Sequence, residues 1–188
     1  MKKVILFFAF ILFATSDVLF AQGFQPPADG KAVIYFARVT KYGKPVDFEF
    51  FHQDKYIGAF KGDQYMRYEL EPGTHLLWAS SENKEFITAE VEAGKTYIVM
   101  VDVIMGAMKA RVGLTPISQN DTEQFERAKE LIVKRAPTVT PDAKIEKMNK
   151  KLEKFIAEKL EMYETTWKNE KNFKHLSPEM ALPDELLN

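Results

Sequence analysis

Cysteine is absent from the 188 residues. That absence excludes a disulfide framework, thiolate metal sites and a cysteine nucleophile. It also excludes the lipidated cysteine that anchors a bacterial lipoprotein. No GxSxG, P-loop or GxGxxG pattern occurs, so neither a nucleophile elbow nor a phosphate-cradling loop is signalled. The three histidines, His52, His75 and His175, show no HxH, HxxxH or HExxH spacing. A zinc site needs three or four converging ligands. An excess of one charge is missing too: 26 basic against 27 acidic residues leave a formal charge of -1. Such a chain has no global electrostatic reason to bind nucleic acid or an anionic membrane.

What is present is globular in composition, with 46% hydrophobic and 28% charged residues. The first segment has the form of a secretory signal peptide. Lys2 and Lys3 precede an unbroken apolar run, VILFFAFILFA, at residues 4–14. That run falls within the ~7–15 residues of a signal h-region, and Asp17 interrupts the ~20 apolar residues that a spanning helix needs. Cleavage is expected after Ala21, with Ser16 as the second site. Removing residues 1–21 takes the charge from -1 to -2. The expected location is therefore periplasmic or extracellular, with no stable membrane span after cleavage.

After a linker at residues 22–30, the period changes to two. Val46, Phe48 and Phe50 alternate with Asp47 and Glu49; Met66, Tyr68 and Leu70 alternate with Tyr65, Arg67 and Glu69. These are strands with one buried face. KAVIYFARV (31–39) and YIVMVDVI (97–104) are apolar on both faces and read as central strands. Turn signals recur at Tyr42-Gly43-Lys44-Pro45, Gln53-Asp54-Lys55, Lys61-Gly62-Asp63, Pro72-Gly73, Ser81-Glu82-Asn83-Lys84, Ala93-Gly94-Lys95 and Met105-Gly106-Ala107-Met108. Residues 31–118 are thus expected to form an antiparallel β-sandwich of about eight short strands.

Three of these turns carry a resemblance. Gln53-Asp54-Lys55-Tyr56-Ile57-Gly58, Leu70-Glu71-Pro72-Gly73-Thr74-His75-Leu76 and Glu92-Ala93-Gly94-Lys95-Thr96-Tyr97 follow in order. In this the chain resembles the exported bacterial β domains called domain of unknown function 2846 and, more distantly, PEGA domains, over residues 31–118. It departs at Asp54-Lys55, where a Gly usually follows the Asp. The resemblance implies a small antiparallel sandwich of the cell envelope and brings no catalytic residues with it.

Residues 119–176 read as a helical tail. Asp121 to Gln124 has the form of a capping box, and Phe125, Ala128 and Ile132 continue one apolar stripe. Thr140-Pro141 then reads as the N-cap and first position of a long helix running to Lys174. Ile145, Met148, Leu152, Phe155, Ile156, Leu160, Tyr163 and Trp167 fall on one face of it. Lys159 lies within that stripe. Glu146/Lys150, Glu164/Lys168 and Glu170/Lys174 pair on the other face. So long a helix is expected to overhang a small sandwich. Residues 177–188 are expected to be loosely held.

No catalytic residue, metal ligand or cofactor is assigned. His75 reads as a turn-packing residue. If Gly106-Ala107 is a two-residue turn, Asp102 faces Arg111 as an ordinary cross-strand ion pair. Tyr56, Phe60, Tyr65 and Tyr68 read as packing residues, since strands are rich in aromatics. Part of the stripe is expected to pack on the β domain or on the preceding helix. The candidate partner-binding residues are Phe155, Leu160, Tyr163 and Trp167, through which whatever overhangs meets a protein partner or a second copy. Two alternatives stand beside this: a binding protein for a small apolar ligand held between sheet and helix, or an enzyme acting on an envelope polymer through Asp102, His75, Arg111 or Glu90.

Overall fold

The computed structural model describes residues 23–40, 46–105 and 110–187. The proposed signal peptide and the turns at 42–45 and 106–109 lie outside the described residues. The fold is mainly β, with helices at the C-terminal end, as the sequence pattern predicts. A four-stranded sheet, in the order β4 (Gln64–Leu70), β1 (Ala32–Arg38), β7 (Thr96–Met105), β8 (Ala110–Ile117), faces a five-stranded one. The second runs β3 (Lys55–Phe60), β2 (Phe48–His52), β5 (Gly73–Ser80), β6 (Lys84–Val91), β9 (Lys174–Leu176). Ladders are antiparallel except β1–β7 and β6–β9, which are parallel.

Three apolar layers explain the strand patterns. Ala32, Ile34 and Phe36 point between the sheets, together with Phe48, Phe50, Leu77, Val99 and Leu114. Val33, Tyr35 and Ala37 point the other way, onto α1 (Thr122–Lys134), with Tyr65, Ile98, Met100, Phe125, Ala128 and Ile132. On the opposite outer face, Phe51, Tyr56, Trp78 and Phe86 pack under α2 (Asp142–Met162). The protein is thus layered α/β/β/α. A strand covered on both faces has no solvent side, which is why β1 and β7 lack alternation.

The tail reaches both faces by belting the sandwich. Beyond α1, the Thr138 N–H donates to the Tyr65 carbonyl on β4 at 2.8 Å. Thr140 then lies against β3, accepting from the Ala59 N–H at 3.4 Å. Gly58 permits that approach: its φ is +156°, and a Cβ there would sit 2.9 Å from Thr140 Oγ1. After α2 come a π turn (Tyr163–Trp167) and a last helical turn (Lys168–Glu170). β9 then lies beside β6, and Leu182 crosses back to donate its N–H to the Thr96 carbonyl at 2.9 Å. Leu182 is buried in the α1 layer and Leu186 and Leu187 pack against it, so these residues are held and not loose.

Several local expectations need correction. The Pro72-Gly73 and Ala93-Gly94-Lys95 turns cross between sheets, since β4 and β7 belong to one sheet and β5 and β6 to the other. Asp121 does start α1, but its carboxylate accepts from the Ser118 N–H (2.8 Å) and hydroxyl (2.9 Å), so no capping box closes. Pro141, not Thr140, is the N-cap of α2, because the Thr140 hydroxyl is engaged by β3. The helix stops at Glu170 and Lys174 joins β9, so the Glu170/Lys174 pair is not a helical one. Glu164–Lys168 does form.

Two asparagines close sheet edges. Asn149 on α2 accepts from the Tyr56 N–H at 2.8 Å and donates to the Tyr56 carbonyl at 3.2 Å. Asn83 treats Val112 on β8 alike, with both bonds at 2.8 Å. Each amide occupies the position of a neighbouring strand, and unpaired edges invite pairing with other chains. Replacing Asn83 by Leu leaves a donor and an acceptor unmet, so a loss of about 1–3 kcal/mol is expected in urea unfolding. Light scattering should show self-association through the bared β8 edge. An unchanged unfolding midpoint would rule out this role.

Candidate functional site

The residues singled out for partner binding are turned inward. Phe155 lies 6.3 Å from the Phe51 ring and 6.1 Å from Trp78. Tyr163 stacks on Phe86 at 4.6 Å, and Trp167 sits 5.9 Å from the same ring. Leu160 joins the same layer. The stripe faces the sheet from Ile145 to Trp167, so the expected overhanging apolar surface is absent among the described residues of α2. Helical periodicity identifies an apolar face; it does not say what covers it. Lys159 does lie along the stripe, with its ammonium 5.5 Å from the Phe155 ring centre and bonded to Glu158 at 2.6 Å.

Asp102 does not face Arg111. Met105 pairs Ala110, so four residues and not two connect β7 and β8, and every partner shifts by two. Asp102 lies opposite Gly113 and Arg111 opposite Ile104. The Asp102 carboxylate instead accepts from the Thr115 hydroxyl at 2.7 Å, and Thr115 in turn accepts from Lys174 at 2.6 Å. His75 and Glu90 belong to the other sheet, so the residues weighed for catalysis are divided between the two sheets.

The four aromatics read as packing residues are divided among three layers. Tyr56 lies under α2, Tyr65 under α1, and Phe60 and Tyr68 between the sheets. Burial pushes the Tyr56 and Tyr65 hydroxyls up to about 12. Arg38 is also fully buried, with its guanidinium 4.5 Å from the Phe48 ring centre and Nη1 donating to the Val46 carbonyl at 2.9 Å.

The densest polar constellation is one that sequence spacing did not show. His52 ends β2 and His75 lies near the start of β5. The pairing of His52 with Leu77 makes the two histidines diagonal neighbours on the inner face. Their rings meet at 2.9 Å, His52 Nε2 to His75 Nδ1. From the opposite sheet, the Tyr68 hydroxyl reaches His52 Nδ1 at 2.9 Å. His75 Nε2 reaches the Glu71 carbonyl at 2.8 Å. Burial is the main force holding His52 below its ordinary value, with His75 and Lys55 adding to it and Asp54 opposing. Burial also raises Tyr68. Only strand register brings these side chains together.

Two surface features lie outside these clusters. Ile104 and Met105, at the open end of β7, are 49% and 82% exposed. Beside the β2–β3 turn, a groove of about 510 Å³ is lined by Asp54 and Lys55 and, from α2, by Asn149, Glu153, Ile156, Ala157 and Leu160. Among the described residues, no group of three or more His, Asp or Glu could hold a metal ion, and no helix is long and apolar enough to cross a membrane. The chain matches no family model and no curated protein.

Proposed function

We propose that this protein is an exported, non-catalytic interaction module of the bacterial cell envelope, and that it meets its partner through the open end of the β7–β8 hairpin. The observation that carries this reading is the exposure of two consecutive large apolar side chains, Ile104 and Met105, at 49% and 82%. Consecutive strand residues point to opposite faces, so this end of the hairpin presents apolar surface on both of them. The sequence continues with Gly106, Ala107 and Met108, and Arg111 faces Ile104 across the ladder. The residue 2–14 pattern supports export, and the three ordered turns that resemble domain of unknown function 2846 support the envelope setting.

The competing readings have less behind them. The space between α2 and the sheet, where an apolar ligand would sit, is filled by stacked rings: Phe51 on Trp78 at 3.8 Å and Trp78 on Phe86 at 5.3 Å. The groups weighed for an enzyme are split between two sheets. The test is the double substitution Ile104→Asp and Met105→Asp. Both side chains are exposed, so the melting temperature is expected to hold within a few degrees. Crosslinked capture from native envelope is expected to fall at least tenfold, while Val139→Asp, at another exposed apolar position, leaves capture intact. Equal capture by the double variant overturns the assignment of the hairpin.

A further inference from the structure

The Tyr68–His52–His75 array has only one arrangement of protons when both rings are neutral. The Glu71 carbonyl can only accept, so His75 Nε2 carries its ring hydrogen. His75 Nδ1 is then an acceptor, and His52 Nε2 must donate to it across 2.9 Å. That leaves His52 Nδ1 to accept from the Tyr68 hydroxyl, also at 2.9 Å. Every donor has one acceptor, and all three bonds run in one direction, an arrangement in which each bond polarises the next.

The array spans the sandwich. Tyr68 belongs to the four-stranded sheet, His52 and His75 to the five-stranded one. His52 is followed at once by the β2–β3 turn, where Gln53 has φ +51° and its carbonyl accepts from Trp78 Nε1 at 3.0 Å. Asp54 and Lys55 of that turn form one wall of the groove against α2.

We infer that this array is a proton-sensitive latch between the two sheets, closed while both imidazoles are neutral and opened by acid, with release of the β2–β3 turn that borders the α2 groove. One added proton can be absorbed at His52 Nδ1, with the Tyr68 hydroxyl turning to accept from it while Nε2 goes on donating to His75. A second cannot be absorbed: two cationic rings would stand 2.9 Å apart, with four N–H groups and no acceptor between them. The groups facing the pair do not offset that charge. Lys55 on β3 pairs with His52 and adds repulsion, and Asp54 opposes it. Ala89 on β6 is the residue opposite His75. At the far end the Glu71 carboxylate is engaged by Lys31.

The sign follows from His52 being held below its ordinary value near 6.5. The unfolded chain then takes up the proton first, so the latch contributes fully above about pH 6.5 and its contribution is lost as pH falls through the folded value. Long-range ¹⁵N–¹H spectra of the full chain at pH 8 should show hydrogen on Nε2 of both His52 and His75. Amide exchange at residues 53–56, corrected for its intrinsic pH dependence, is expected to rise at least tenfold between pH 7.5 and 5. In His75→Phe that rise should disappear. Tyr68→Phe, which removes a single hydroxyl, should leave His52 in the Nε2–H form, because His75 Nδ1 still accepts from it. A Nδ1–H tautomer on either ring of the wild type, or exchange at residues 53–56 that does not change with pH, overturns the latch.

Discussion

Trp78→Ala is expected to lower the unfolding free energy by about 3–5 kcal/mol, the range for emptying an aromatic site in a packed core. Trp78 is 1% exposed, stacks on Phe51 at 3.8 Å with planes 9° apart, and contacts Phe86 at 5.3 Å. Its indole N–H also holds the Gln53 carbonyl at 3.0 Å. The substitution removes a ring from the middle of the layer that joins α2 to the sheet. Trp78→Phe separates the two contributions: it keeps a ring in the stack and leaves the carbonyl unmet, for an expected loss of about 1–2 kcal/mol. Urea unfolding gives both values. A loss below 1 kcal/mol for Trp78→Ala would show that the outer layer contributes little to stability.

The second large effect is expected from Phe155→Ser together with Leu160→Ser. Each side chain is half-buried against the sheet. Full burial of such a residue contributes about 1.5–3 kcal/mol, so the pair should cost about 2–4 kcal/mol. Hydrogen exchange should show the loss in α2 first, while β1 and β7, buried on both faces, keep their protection. The readout also separates two roles for the stripe. If it packs internally, stability falls; if it serves a partner, stability holds and association is lost. Unchanged stability would contradict the packing of Phe155 on Phe51 and Trp78.

Some of the site was legible in the residues and some was not. The apolar stripe of α2 was, because residues three and four apart in a helix share a face whatever surrounds them. Its use was not: the same stripe fits a partner or the chain's own sheet, and only the exposed apolar face of the second sheet decides between them. Met105 was legible as a turn residue, yet its exposure depends on where the ladder ends, and the four-residue connection sets that register two positions away from the one a two-residue turn gives. His52 and His75 were unremarkable in sequence, being 23 residues apart. No local pattern encodes a meeting that depends on β2 pairing with β5.

The sequence by itself determined the class of structure. Period-two alternation in Phe48, Phe50, Met66, Tyr68 and Leu70 requires strands with one buried face, and the double-faced runs of β1 and β7 require cover on both sides. Those are consequences of backbone geometry, and they hold for any fold that contains the segments. Tertiary structure alone decided that α1 and α2 take opposite outer faces, that Lys174 pairs with β6 instead of extending the helix, and that Tyr68, His52 and His75 share one proton array. The reason is physical. Each of these depends on contacts between segments far apart in the chain, where strand register and edge pairing, not local propensity, set which side chains meet.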